Sequence, residues 1–126
     1  MKKVLFMLAL LPIFFFTSCS DDDDEVITSY TLNWELEDHS SITTTVMLFE
    51  YNAEGEKVAS NAVECHQGLS KVFNANEKAE KVKAYVKMEG GSQTSTRWVQ
   101  QVYYLQKGKN IDITVNGETI IGVKEP

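Results

Sequence analysis

The residues of this chain that could do chemistry fall into three groups. Cys65-His66 places a thiol next to an imidazole. Neighbours on a strand point to opposite faces, so the two work as a nucleophile and its base only if the segment is a loop, and Gly68 makes a loop available. Glu37-Asp38-His39-Ser40-Ser41 puts carboxylates, an imidazole and hydroxyls into one short polar run. A triad or a metal centre needs convergence in space, and a histidine-rich zinc site needs three or four ligands where this chain has two histidines, His39 and His66. The run therefore reads first as a polar connection, the cysteine as a small buried hydrophobe, and no metal or cofactor is expected.

The aromatic residues form the third group. Trp34, Trp98, Tyr30, Tyr51, Tyr85, Tyr103 and Tyr104 crowd a short chain. Trp34 and Trp98 are expected with the inward residues. Tyr85 falls among lysines on the polar side of its segment, and the adjacent Tyr103 and Tyr104 cannot both point inward from a regular strand. Exposed tyrosines on a flat sheet can stack on sugar rings or peptide side chains, with Arg97, Gln93, Gln100 and Gln101 as hydrogen-bonding neighbours. Tyr85, Tyr103 and Gln101 are the candidate binding surface.

The elements that must position these groups read as strands. Tyr30, Leu32, Trp34 and Leu36 alternate with polar residues, the period of a half-buried strand. Residues 43–52 are apolar on both faces around Val46 to Phe49, as a central strand would be. Ala53-Glu54-Gly55-Glu56 turns the chain into a returning strand over 57–63. Leu69 to Phe73 is a short strand, and Asn76 to Glu80 is too short for more than a turn of helix. Val82, Ala84, Val86 and Met88 alternate with Lys81, Lys83, Tyr85 and Lys87 before the break at Gly90-Gly91-Ser92. Residues 96–106 read as one long strand, with Val99, Tyr103 and Leu105 on the face opposite Trp98, Val102 and Tyr104. Ile111, Ile113 and Val115 point inward, Asn116-Gly117 signals a type I′ hairpin, and 119–123 closes the series. About seven or eight short strands without a long helix predict an all-β antiparallel sandwich over residues 28–126.

The first 27 residues have a different organisation. Lys2 and Lys3 precede an apolar run from Val4 to Phe16, which at roughly 13 residues is short of the ~20 a membrane span needs. Thr17-Ser18-Cys19 follows, then Ser20-Asp21-Asp22-Asp23-Asp24-Glu25. This order reads as a cleavable export signal over residues 1–18 and a flexible acidic tether over residues 19–27. Removing residues 1–18 from the 126 leaves about 108 residues, enough for one domain with a modest core. The formal charge of −6 becomes about −8 without Lys2 and Lys3, and five of those charges lie in Asp21 to Glu25. The domain itself is thus only mildly acidic. With no basic stripe it is not expected to bind nucleic acid.

Phe16-Thr17-Ser18-Cys19 resembles the lipobox of bacterial lipoproteins, with phenylalanine where leucine is usual. The acidic run after it resembles the tether of surface-exposed lipoproteins of the Bacteroidota. These resemblances imply lipidation at Cys19 with palmitate-type chains. They also imply that Ser20, Asp21, Asp22, Asp23, Asp24 and Glu25 act as a surface-export signal of an outer-membrane protein, a periplasm-facing anchor being the alternative. VMLFEYNAEGEKV and VKAYVKM resemble transthyretin-like sandwich modules of surface lipoproteins, with immunoglobulin-like topology as the rival. The resemblance carries over no catalytic residue. The expectation is a non-enzymatic, membrane-anchored binding or scaffolding module whose partner is a glycan or an envelope protein. The alternatives are a structural subunit of a surface assembly, and a small hydrolase built around His39 or His66. If Cys19 carries lipid, Cys65 has no partner for a disulfide within the chain.

Overall fold

In a computed structural model describing residues 27–126, the alternating segments become nine strands in two sheets. They are β1 (Ser29–Trp34), β2 (Thr43–Tyr51), β3 (Lys57–Glu64), β4 (Leu69–Asn74), β5 (Lys81–Gly90), β6 (Gln93–Val99), β7 (Tyr103–Tyr104), β8 (Asn110–Val115) and β9 (Ile121–Gly122). The described residues contain no helix. The export signal, Cys19 and the acidic block lie outside the described residues.

A small sheet of order β4-β1-β8 packs on a large sheet of order β3-β2-β5-β6-β9, with β7 also on β5. The fold is an all-β sandwich. Pairing is antiparallel except between β1 and β8, which run parallel from Ser29↔Asn110 to Trp34↔Val115. A parallel pair needs a long crossover, and the chain makes it by passing through the large sheet between the two strands.

The core lies where the inner faces meet. Tyr30, Leu32, Trp34, Phe73, Ile113 and Val115 from the small sheet meet Val46, Leu48, Val82, Ala84, Val86, Val99 and Tyr103 from the large one. The inward positions of β1, β5 and β8 are those the alternation predicts. The turn between β2 and β3 is built around Asn52, whose side-chain oxygen accepts from the Glu54 and Glu56 backbone N–H groups. Gly55 in that turn has φ +84°, which an L side chain rarely adopts. Gly90 has a different reason to be glycine. A Cβ there would lie 3.1 Å from the Ser41 carbonyl oxygen and 3.2 Å from Ile42 Cγ1, because the β5–β6 hairpin abuts the 39–42 turn.

Two features depart from expectation. The long strand over 96–106 is broken: Tyr85 pairs with Trp98 and Val82 pairs with Tyr103, so two extra residues bulge out between β6 and β7. The C-terminal segment fills that gap. The Gln100 N–H donates to the Ile120 carbonyl, and Gln100 Nε2 donates to the Lys124 carbonyl at 2.6 Å. Asn116-Gly117, in turn, is not a hairpin, since β8 and β9 belong to different sheets. Asn116 instead opens a turn, accepting the Glu118 N–H on its side chain and the Thr119 N–H on its carbonyl.

Candidate functional site

Two places gather the chemistry-bearing residues. The first is the solvent-facing side of the large sheet. Strand alternation turns Phe49 of β2, Tyr85 of β5 and Trp98 of β6 away from the core, and cross-strand register sets Tyr85 opposite Trp98. Their rings form one cluster: centroids are 4.6 Å apart for Tyr85–Trp98, 5.8 Å for Phe49–Trp98 and 6.1 Å for Phe49–Tyr85. All three side chains are half-buried. Met47, opposite Tyr85 on β2, extends the apolar strip.

Cations border the cluster. Lys57 Nζ sits 4.0 Å from the Phe49 ring centroid, within cation–π range. Beyond it, Lys83 Nζ pairs with Glu125 Oε2 at 2.8 Å and lies 4.9 Å from the Tyr51 ring. The C-terminal segment thus rims the aromatic face. Lys83 holds the Glu125 carboxyl below its ordinary value by hydrogen bonding. Burial, followed by the nearby Glu125 charge, pushes the Tyr51 phenol up.

The second place is one end of the sandwich. His39, His66, Glu37, Asp38, Glu64 and Cys65 border a concavity of about 290 Å³. His66 Nε2 lies 3.1 Å from Glu64 Oε2, and its Nδ1 lies 3.7 Å from Asp38 Oδ1. Asp38 also accepts the Gln67 backbone N–H. His66 is 64% exposed, so these contacts sit in water. Cys65 points the other way, into the core, where burial pushes its thiol up to about 11 and keeps it protonated at neutral pH. Cys65 and His66 therefore face apart, as strand-like neighbours do. Among the described residues no hydroxyl is hydrogen-bonded to either histidine, and no three His, Cys, Asp or Glu groups converge as metal ligands.

The sequence-predicted binding residues are not brought together. Tyr85 is on the outer face. Tyr103 points into the core at 8% exposure, and burial pushes its phenol up. Gln101 is exposed in the bulge, and Tyr104, at 68% exposure, takes the outward position beside it. Trp98, expected inward, is outward. Its alternation with the buried Val99 carries that signal, as does its place on the face opposite Tyr103.

One cluster had no place among the sequence expectations. Glu50, at 1% exposure, points inward from β2. It accepts the Tyr30 phenol at 2.6 Å, the Asn61 amide at 3.0 Å and the Asn76 backbone N–H at 2.7 Å. Asn61 also donates to the Tyr30 oxygen at 2.8 Å. Desolvation and the adjacent carboxylate raise the Tyr30 phenol far above its ordinary value. The readable signal is the alternation Val46, Leu48, Glu50, which puts a carboxylate in a core position.

Fold and site together define a small two-sheet β domain with an aromatic outer face. Comparison with known protein families, curated proteins and solved structures finds no match.

Proposed function

We propose that the chain is a non-enzymatic bacterial surface lipoprotein whose β-sandwich binds a glycan or an envelope protein through the outer face of its large sheet. The observation that carries the binding role is the Phe49–Tyr85–Trp98 cluster, three aromatic side chains in contact on the solvent side. Aromatic rings offer large, rigid contact area at little loss of side-chain freedom. Lys57 beside Phe49 adds a donor for hydroxyl or carboxylate groups of a ligand.

The anchoring role is supported by the order of Lys2, Lys3, the apolar run, Cys19 and the acidic block. Multiple acyl chains on one cysteine suffice for stable attachment, whereas a single chain binds weakly. The domain then stands off the membrane on a self-repelling tether.

The test is a pull-down of envelope glycans and proteins with the full chain, run beside a Trp98→Ala variant. Retention by the parent and loss in Trp98→Ala supports the assignment; equal retention moves binding off this face. The anchor has a separate readout: Cys19→Ala should shift the protein out of the membrane fraction. Replacing Asp21 to Glu25 with serine and glycine should lower protease accessibility on whole cells while leaving acylation intact. A Cys19→Ala protein still firmly membrane-bound would sink the lipoprotein reading.

A further inference from the structure

Among the described strands, five have a free edge: β3, β9 and the two-residue β7 in the large sheet, β4 and β8 in the small one. Unpaired edges invite other strands, and proteins guard them with shortness or charge. β9 has two residues. β8 carries Asp112 at its middle. β4 carries Lys71, which register places opposite the core residue Leu32, so a charge stands on the inner side of that edge. β3 has no such guard. Its eight residues, Lys57-Val58-Ala59-Ser60-Asn61-Ala62-Val63-Glu64, are uncharged from Val58 to Val63 and contain no proline.

The order of residue types along β3 identifies what fits the edge. Two identical strands paired antiparallel about a two-fold axis normal to the sheet keep their faces, so the residue at the centre must face itself. With Asn61 at the centre, Ser60 lies opposite Ala62 of the second copy on the outer face. Ala59 lies opposite Val63 on the inner face. The ends then matter. The β2 ladder passes from Glu50↔Ala59 to Tyr51↔Lys57, so Val58 is an extra residue and Lys57 returns to the outer face. Glu64 is on the same face, opposite Thr45. The bulge therefore sets Lys57 across from Glu64 of the second copy, twice by symmetry. Centring on Ser60 instead carries Glu64 past Lys57 to Gly55 and Glu56, with no opposite charge to meet. The self-pairing register is thus chosen by charge, and the side chains between the charged ends are small enough for close approach.

We infer that β3 is a self-association edge: two copies of this chain join their large sheets through antiparallel β3–β3 pairing centred on Asn61, closed at both ends by Lys57–Glu64 pairs. The pairing is independent of the anchor, and it shares Lys57 with the border of the aromatic face.

The register gives the test. Full-length chains with Ser60→Cys and with Ala62→Cys, distinguishable by size, are expressed together or separately and oxidised in intact cells. Opposed residues in a pair lie within disulfide reach, whereas Ser60 opposite Ser60 would be two residues out of step. The expected result is a mixed dimer from co-expression and none from either variant alone, the unsubstituted chain controlling for Cys19. Lys57→Glu should lower the cross-linked fraction roughly tenfold, and adding Glu64→Lys should restore it. Ala62→Lys, which adds a charge at an exposed mid-edge position, should abolish it while the circular dichroism spectrum stays that of the parent. Absence of the mixed dimer, dimers from a single variant, failure of the charge swap to restore, or cross-linking to a different polypeptide would each overturn the assignment.

Discussion

The two outer faces of this sandwich are built on opposite plans. The small sheet faces solvent with a ladder of amides and hydroxyls. Ser70 donates to Asn33, Asn33 to Asp112, Thr31 to Asn110, and Asn110 to Ser29, at 2.9–3.2 Å. At the matching depth the large sheet presents Phe49, Tyr85 and Trp98. The same short chain supplies both, so the aromatic face is not forced by a shortage of polar residues. Scattered exposed apolar residues are ordinary, and Val72 on the small sheet is one; three rings in mutual contact make a patch. The contrast is the reason the large sheet's outer face is the one proposed to bind.

Between the two faces, one joint crosses from sheet to sheet through polar atoms. Tyr30 of β1 donates to Glu50 of β2, which also ties down Asn61 of β3 and the backbone of Asn76. Removing the carboxylate leaves those three donors without their buried acceptor, so Glu50→Ala should destabilise by about 3 kcal/mol, the largest effect expected. Tyr30→Phe removes one donor and keeps the packing, and about 1–2 kcal/mol is expected. Urea unfolding reads both as a lower midpoint at unchanged slope. A Glu50→Ala midpoint equal to the parent's would mean that apolar packing alone holds the two faces in place.

The faces themselves were legible in the sequence because strand alternation has a fixed period. Val82, Ala84 and Val86 point inward and Lys83 and Tyr85 outward, as read. Along residues 96–106 the period was right and the face was reversed: Val99 and Tyr103 point inward and Trp98 outward, where the expectation had Trp98 inward and Tyr103 on the exposed surface. The bulge inserts two residues, an even number, and alternation survives in phase. What the sequence left unread depends on partners far along the chain. The Glu50 joint needs Tyr30, twenty residues earlier, and Asn61 on the next strand. The aromatic cluster needs the register that sets Tyr85 against Trp98. The Asn116-Gly117 signal failed because a turn motif fixes local geometry and not which sheet receives the next strand. At the histidine end, composition was legible and convergence was not. His66 meets Asp38 and Glu64, but Cys65 turns away into the core.

Matched substitutions on the two faces sharpen the contrast at a smaller scale. Trp98→Ala loses two ring contacts on a half-buried surface, and about 1 kcal/mol of stability is expected. Asn33→Ala on the small sheet breaks exposed hydrogen bonds to Asp112 and Ser70, and about 0.5 kcal/mol is expected. Ligand retention should separate them more widely than stability does. Trp98→Ala should lose it, while Asn33→Ala should retain ligand as the parent does. Equal loss in both would erase the distinction between the faces.

The smallest effect concerns the rim of the aromatic face and its response to pH. The hydrogen bond from Lys83 lowers the Glu125 carboxyl below its ordinary 4.5 in the folded protein. A group depressed by folding contributes stability above its unfolded value and loses it as pH falls through the folded one. Glu125 is half-exposed, so water screens the pair and its contribution is on the order of a few tenths of a kcal/mol. Tyr51 responds in the opposite direction: its phenol is raised from 10.0 by burial, then by the Glu125 charge, so its contribution is complete below that value and is lost as pH rises. The rim should therefore hold best between about 4.5 and 10. Lys83→Met should lower stability slightly at pH 7, by an amount that shrinks as pH falls below 4.5 and Glu125 takes up its proton. A difference from the parent that stays constant across that range would assign the role of Lys83 to packing on Tyr51, leaving the small sheet's polar ladder as the only outer face held by hydrogen bonds.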